Sequence, residues 1–243
     1  MTPDDVTSEA NAAYLSLNVP SPAPRPGASS GARAPVIFLL AAAVVGGLMG
    51  ALLQHPAKAD PLPGIEANAP LTTPEELGRA LFHDVNLSRN RTEACATCHA
   101  PENAFSDPRD LPGTGRAVSL GDDGKSLGDR NAPTAAYASF APALHKDAKG
   151  RWTGGQFHDG RAATLEDQAG GPPLNPIEMG MPDKAGVVAR LRENALYVTA
   201  FETLYGKGVL DRTDDAYRRM TESIAAFERT SAFAPFDSKY DRY

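Results

Sequence analysis

Cysteine is almost absent: the 243-residue chain holds two, three positions apart. A pair that close cannot staple distant segments, which excludes a disulfide scaffold in any compartment. There is no second cysteine pair to complete a zinc finger of the usual spacing. Positive charge is also short, with 24 Lys+Arg against 30 Asp+Glu and a net charge of -6. A nucleic-acid binder would show a basic stripe, so no nucleic-acid partner is expected. Internal repeats and the alternating pattern of half-buried strands are missing too. What is plentiful is punctuation, 21 Pro and 22 Gly. Much of the chain should be irregular, and such a chain needs apolar core from something besides its own side chains.

Both cysteines fall in Cys95-Ala96-Thr97-Cys98-His99. C-x-x-C-H is the attachment spacing of a c-type haem. The thiols form thioethers to the porphyrin vinyl groups, and His99 is then held against the iron as its proximal ligand. A thioredoxin-like dithiol belongs in a βαβ pattern and does not need the histidine. A zinc site needs two further ligands. The chain therefore reads as a cytochrome with one covalent haem c, whose macrocycle supplies the missing core.

Val36 to Leu53 runs eighteen residues without a charge. As a helix it spans roughly 27 Å, just enough for the hydrocarbon core of a bilayer. A buried soluble helix is the bland alternative, and the Pro/Ser/Ala-rich stretch beside the run argues against it. Ala57-Lys58-Ala59 fits a signal-peptidase site that would release a soluble periplasmic protein starting at Asp60. The run is longer than a usual h-region of about 7–15 residues and follows a long polar segment, which favours an uncleaved anchor. Gly46 and Gly50 add a weak G-x-x-x-G pairing pattern. Haem c is attached outside the cytoplasm, so the haem domain is expected in the periplasm, anchored to the inner membrane. Arg25 and Arg33 before the helix agree with that orientation. The expected organisation is a disordered tail over 1–35, the membrane helix over 36–54, a Pro-rich linker over 55–71 and a haem domain over 72–243.

In the exported part, Thr73-Pro74-Glu75-Glu76 predicts a helix opened by a capping box. From Pro101 to about Asp159 the pattern predicts long loops with a short helix near Thr134–Phe140. Further helices are expected over Lys184–Asn194, Leu196–Tyr205 and Thr213–Thr230, the last with Tyr217, Met220, Ile224 and Phe227 on one face. The fold class is all-α, a loop-rich class I-like cytochrome c domain behind one N-terminal transmembrane helix.

LGRALFHDVNLSRNRTEACATCH, DRNAPT, GGQFHDGRAATLEDQAGGPPLNPIEMG, SIAAFERT and PFDSKYDRY together resemble the bacterial di-haem cytochrome c peroxidase family, which includes MauG. The resemblance runs from about Thr73 to the C-terminus and corresponds to that family's N-terminal haem domain. It implies the haem at which peroxide is reduced. In the family a second haem domain follows and accepts electrons from small soluble donors. This chain ends at Tyr243, where that domain would begin, and carries no second C-x-x-C-H. The resemblance then implies a redox partner, either a protein carrying the missing haem or a small cytochrome or copper donor.

Gln168 and Glu178, ten apart, match the family's distal glutamine and glutamate. Splitting the O–O bond moves a proton from one peroxide oxygen to the other, which a buried carboxyl beside the iron can shuttle. A surface carboxylate in a Pro/Gly loop is the alternative for Glu178. Where the family's peroxidases carry a histidine that caps the resting iron, this chain reads SLGDDGKSLGDRN with Asp122 in its place, and the sixth position is expected to stand open. His158 falls where many relatives have a tryptophan between the haems. It is read as a relay to a partner's haem, a distal ligand or a structural hydrogen-bonder. Asp159 and Arg161 are expected to fix the loop or a haem propionate, and Asn131 matches a ligand of an interdomain calcium site that is expected weak or absent here. Met179 or Met181 could occupy the sixth position and make an electron carrier. His83 is expected to pack, and Trp152 to be buried.

Three functions compete: a membrane-tethered mono-haem peroxidase, a non-enzymatic electron-transfer subunit of a respiratory or photosynthetic complex, and a degenerate haem protein without a dedicated partner.

Overall fold

The computed structural model describes residues 69–243. The apolar run Val36–Leu53, the tail before it and nearly all of the linker lie outside the described residues. Among the described residues no helix is long and apolar enough to cross a membrane.

Helix α1 (Pro74–Phe82) starts where the capping box predicts: Glu76 N–H donates to Thr73 Oγ1 at 3.2 Å, and Glu76 Oε2 accepts from Thr73 N–H at 3.1 Å. The haem motif itself forms the short α2 (Cys95–Cys98), and α3 (Leu165–Ala169) follows a long irregular stretch. Neither short helix was expected, because four or five residues carry too little periodicity to register. Helices α4 (Lys184–Arg192) and α5 (Ala195–Tyr205) begin at Asp183 and Asn194, whose side chains accept from Gly186 N–H and Leu196 N–H. Helix α6 (Thr213–Glu228) buries the predicted stripe of Tyr217, Met220, Ile224 and Phe227.

Helices α1 and α6 form the backbone of the core and touch at a glycine. A Cβ on Gly78 would lie 1.8 Å from the Ser223 carbonyl oxygen, so only a residue without one lets the helices meet. Beside the crossing, Phe82, Phe227 and Phe233 meet edge to face with centroids 5.1 to 5.6 Å apart. Phe233 also stacks on Phe105 at 4.0 Å, tying the chain end to the loop after the haem motif.

The expected helix near Thr134–Phe140 is only a 3-10 turn at Ala138–Phe140. Pro133 sits before it, and Tyr137 adopts a left-handed φ of 59°, which a helix cannot contain. The all-α expectation also needs correction for an antiparallel pair, β1 (His145–Lys146) with β2 (Trp152–Thr153). Asp147 closes its turn by accepting from Lys149 N–H and Arg151 N–H. Two-residue strands are too short to show alternation in sequence. Trp152, expected inside, is 67% exposed, with Lys146 Nζ 5.0 Å from its ring centroid. His83 packs as expected, half-buried against Phe82 and bonded through Nδ1 to the Arg79 carbonyl oxygen at 2.9 Å.

Candidate functional site

The loops enclose a cavity of about 540 Å³ with Cys95, Cys98 and His99 in its wall. The local sequence shapes this wall. Thr97 Oγ1 accepts from Ala94 N–H at 2.9 Å, and His99 N–H donates to the Cys95 carbonyl oxygen at 2.8 Å, curling the motif into one turn. His99 Nδ1–H donates to the Phe105 carbonyl oxygen at 3.0 Å, leaving Nε2 as the lone-pair nitrogen. That carbonyl is aimed by two consecutive residues with positive φ, Ala104 at 52° and Phe105 at 56°. Strain of this kind persists only where the surroundings over-determine it, here by the Phe105–Phe233 stack. Burial lowers the imidazole's pKa, so the ring is neutral, as a metal ligand must be.

The two cysteines are free and unbridged. Burial pushes the Cys95 thiol up to about 12 and raises that of Cys98 as well, so both stay protonated. A cavity of this volume falls in the range that encloses cofactors. Two buried S–H groups and an oriented neutral imidazole in its wall are the donor set of haem c, and these residues fit that group.

Opposite chemistry comes from the loop around α3. Glu178, Gln168 and Met179 line the same cavity. Glu178 Oε1 accepts from Asn175 Nδ2 at 2.8 Å, and burial raises its pKa above the ordinary carboxyl range. The main chain beside it is closely approached: a Cβ on Gly121 would sit 2.5 Å from the Ile177 carbonyl oxygen.

A family model described as Di-haem cytochrome c peroxidase matches residues 72–243. The chain belongs to this family. Membership implies c-type haem. The methylamine utilization protein MauG of Paracoccus denitrificans is 58% identical over 166 residues, 68% of this chain and 43% of that protein. The cytochrome c peroxidase Ccp of Escherichia coli is 39% identical over 163 residues, 66% of this chain and 30% of its own. Among solved structures, the diheme peroxidase BthA from Burkholderia thailandensis superposes with a TM-score of 0.65 at 32% identity, covering 72% of this chain and 42% of that one. The chain thus spans less than half the length of these relatives.

Within this di-haem peroxidase domain, several residues singled out in the sequence fall away from the cavity wall. Asp122 does not line it. Its carboxylate is buried against the loop before the haem motif, accepting from Ser88 Oγ at 2.6 Å, Asn90 N–H at 2.7 Å and Thr92 Oγ1 at 2.6 Å. Met181 packs in the hydrophobic core near the start of α4 and does not line the cavity. Met179 does both.

His158 lines the cavity, and its Nε2–H donates to the Asn131 carbonyl oxygen at 3.0 Å. Arg161 also lines it. Its guanidinium pairs with Asp159 at 2.9 Å and lies 3.8 Å from the Phe157 ring centroid. Asn131 Oδ1 is buried without a hydrogen-bond partner, and no group of three His, Cys, Asp or Glu side chains gathers as for a metal ion among the described residues.

Sequence reasoning missed four charged residues here. Glu93, 3% exposed, accepts from Cys98 Sγ at 3.1 Å, and Arg109 Nη2 reaches the same sulfur at 3.1 Å. Arg109 is held in turn by buried Asp107 at 2.6 Å. Their separation along the chain hides this cluster. Glu228 was within reach of pattern reading: it lies one turn after Ile224 on the buried face of α6, where a carboxylate breaks the apolar stripe.

Proposed function

We propose that this chain is a peroxide-handling haem-c domain that reduces hydrogen peroxide, or uses it to oxidise a partner protein, at a single covalent haem held by Cys95, Cys98 and His99. The observation that carries the reading is that Glu178 and Gln168 share one cavity with that anchor, Glu178 being kept protonatable by burial. The haem, once bound, supplies an iron at which two electrons split the O–O bond. Glu178 takes a proton from one peroxide oxygen and delivers it to the other, which leaves as water. Asn175 holds that carboxyl in place at 2.8 Å. Gln168 orients peroxide or water by hydrogen bonding. Arg161, braced by Asp159, supports the loop or a haem propionate with its guanidinium fork. Two electrons and two protons turn one peroxide into two waters, the electrons coming from a protein that carries a further haem or from a small cytochrome or copper donor. The apolar run Val36–Leu53 and the export that haem c attachment requires support a periplasmic domain tethered to the inner membrane, or released after Ala59.

The test is Glu178→Gln and Glu178→Ala with covalent haem quantified in each. Turnover is expected to fall by roughly 10²–10⁴ at unchanged haem content, the usual worth of a positioned proton transfer. Unchanged turnover overturns the reading. One observation favours a second function: Met179 is 3% exposed in the cavity wall, where its thioether could complete the coordination and make an electron carrier. A low-spin ferric spectrum that becomes high-spin in Met179→Ala would establish that function instead.

A further inference from the structure

Besides Glu178, two buried carboxyls line the cavity: Glu93, which accepts from Cys98 Sγ, and Glu228, which peroxide chemistry leaves without a task. Glu228, the last residue of α6, is 6% exposed and lines the cavity. It borders the space in which the cofactor belongs. Burial pushes its pKa up to about 8.

The charged groups around it do not offset this. Arg229 is adjacent, but its guanidinium is engaged by Glu166 of α3 at 2.7 and 3.0 Å, so the pair's fields oppose each other at Glu228. The Cys95 thiol of α2 is near it, and thioether formation removes that group; Glu93 and Glu178, which act on the same thiol, line the cavity as well. The buried residues of the neighbouring helices are apolar, Leu77, Leu81 and Phe82 of α1 and Val187, Val188 and Leu191 of α4. Lys184 of α4 is paired with Asp214 at the far end of α6.

Resting on the haem reading above, we propose that Glu228 is a redox-linked proton acceptor: when the bound iron gains an electron from a one-electron donor, the Glu228 carboxylate takes one proton from solvent, and it gives that proton back when the iron is reoxidised. The added electron raises the proton affinity of any carboxyl in the same low-dielectric pocket. For two charges within one such cavity at an effective dielectric near 20, the coupling is on the order of tenfold. Linkage then requires the iron's reduction equilibrium to depend on pH across the range where Glu228 titrates.

The experiment is a spectroelectrochemical titration of the haem-loaded chain from about pH 6 to about pH 10, after the pyridine haemochrome spectrum has established covalent haem. The reduction constant is expected to fall about tenfold across that range, about 59 mV for one electron. That fall is expected to vanish in Glu228→Gln and to persist in Glu178→Gln. The same pH dependence in native and Glu228→Gln proteins overturns the proposal alone, as does its loss in Glu178→Gln instead. Absence of covalent haem in the native chain overturns the haem reading and the proposal together. Should Glu228→Gln fail to fold, the native protein still decides: a reduced-minus-oxidised infrared spectrum near pH 8 must gain a protonated-carboxyl band that shifts in heavy water, and a spectrum without one refutes the assignment.

Discussion

The contact between α1 and α6 rests on the missing side chain of Gly78, and Gly78→Ala tests it directly. The new Cβ would lie 1.8 Å from the Ser223 carbonyl oxygen, 2.5 Å from its carbon and 3.0 Å from Phe227 Cβ. Two of these atoms are backbone, so no rotamer change relieves the clash and the helices must part by about 1.5 Å. Helix α1 contributes Leu77, Leu81 and Phe82, none of them exposed. Burying each is worth about 1.5–3 kcal/mol, and a gap of 0.5–1 Å already forfeits a quarter to a half of such contacts. The expected loss is therefore about 2–4 kcal/mol. For a domain of this size it lowers Tm by roughly 5–15 °C. Ile224 and Glu228 line the cavity from α6, so the haem pocket loosens along with the core. Thermal unfolding followed by far-ultraviolet circular dichroism measures the effect. Gly124→Ala sets the scale, since Gly124 has a φ of +66° with nothing within 4 Å of its Cβ position and should lose only about 1–2 kcal/mol to backbone strain. A Gly78→Ala protein as stable as Gly124→Ala would refute the close-crossing argument.

Two further predictions concern the charged residues around the cavity. Burial alone would raise the Asp107 carboxyl, but the hydrogen bonds from Arg109 outweigh it and hold the group below the usual range. Its stabilising contribution is therefore present above the unfolded carboxyl value and is lost as pH falls through the lower folded one. Arg109→Ala should cost about 2–4 kcal/mol at pH 7 in urea unfolding and shrink the native protein's advantage as pH falls from 5 to 2, and a variant with native stability at pH 7 would contradict this. Asp122→His tests whether this position can cap the iron. The side chain faces Ser88, Asn90 and Thr92, so the substitution should lower stability and leave the ferric spectrum of the haem-loaded protein unchanged, whereas a new low-spin species would show that the loop does reach the metal.

Whatever depends on neighbours in the chain is legible in the residue order itself. The capping box at Thr73 and Glu76, the apolar stripe of α6 and the C-x-x-C-H anchor are contiguous or periodic, so their physics is written at fixed spacing. The family resemblance, not chain-local reasoning, groups Gln168 with Glu178, and both line the cavity. Chain-local reasoning fails where the partner is distant. Asp122 stands in sequence where relatives carry the capping histidine, but what its carboxylate does instead is set by three residues some thirty positions earlier. Met179 and Met181 are two positions apart and chemically equal, and only the turn at Gly180, with a φ of +68°, sends one to the cavity and the other to the core alone. Trp152 lies on the surface, in a two-residue strand with Lys146 over its ring, because no other element among the described residues covers that face. Burial is a property of the assembled chain, and so is every pKa shift that burial causes. The sequence alone could therefore place a haem-attachment motif, while the tertiary structure decided which buried carboxyls line the cavity beside it, Glu93, Glu178 and Glu228, and burial raises the pKa of each.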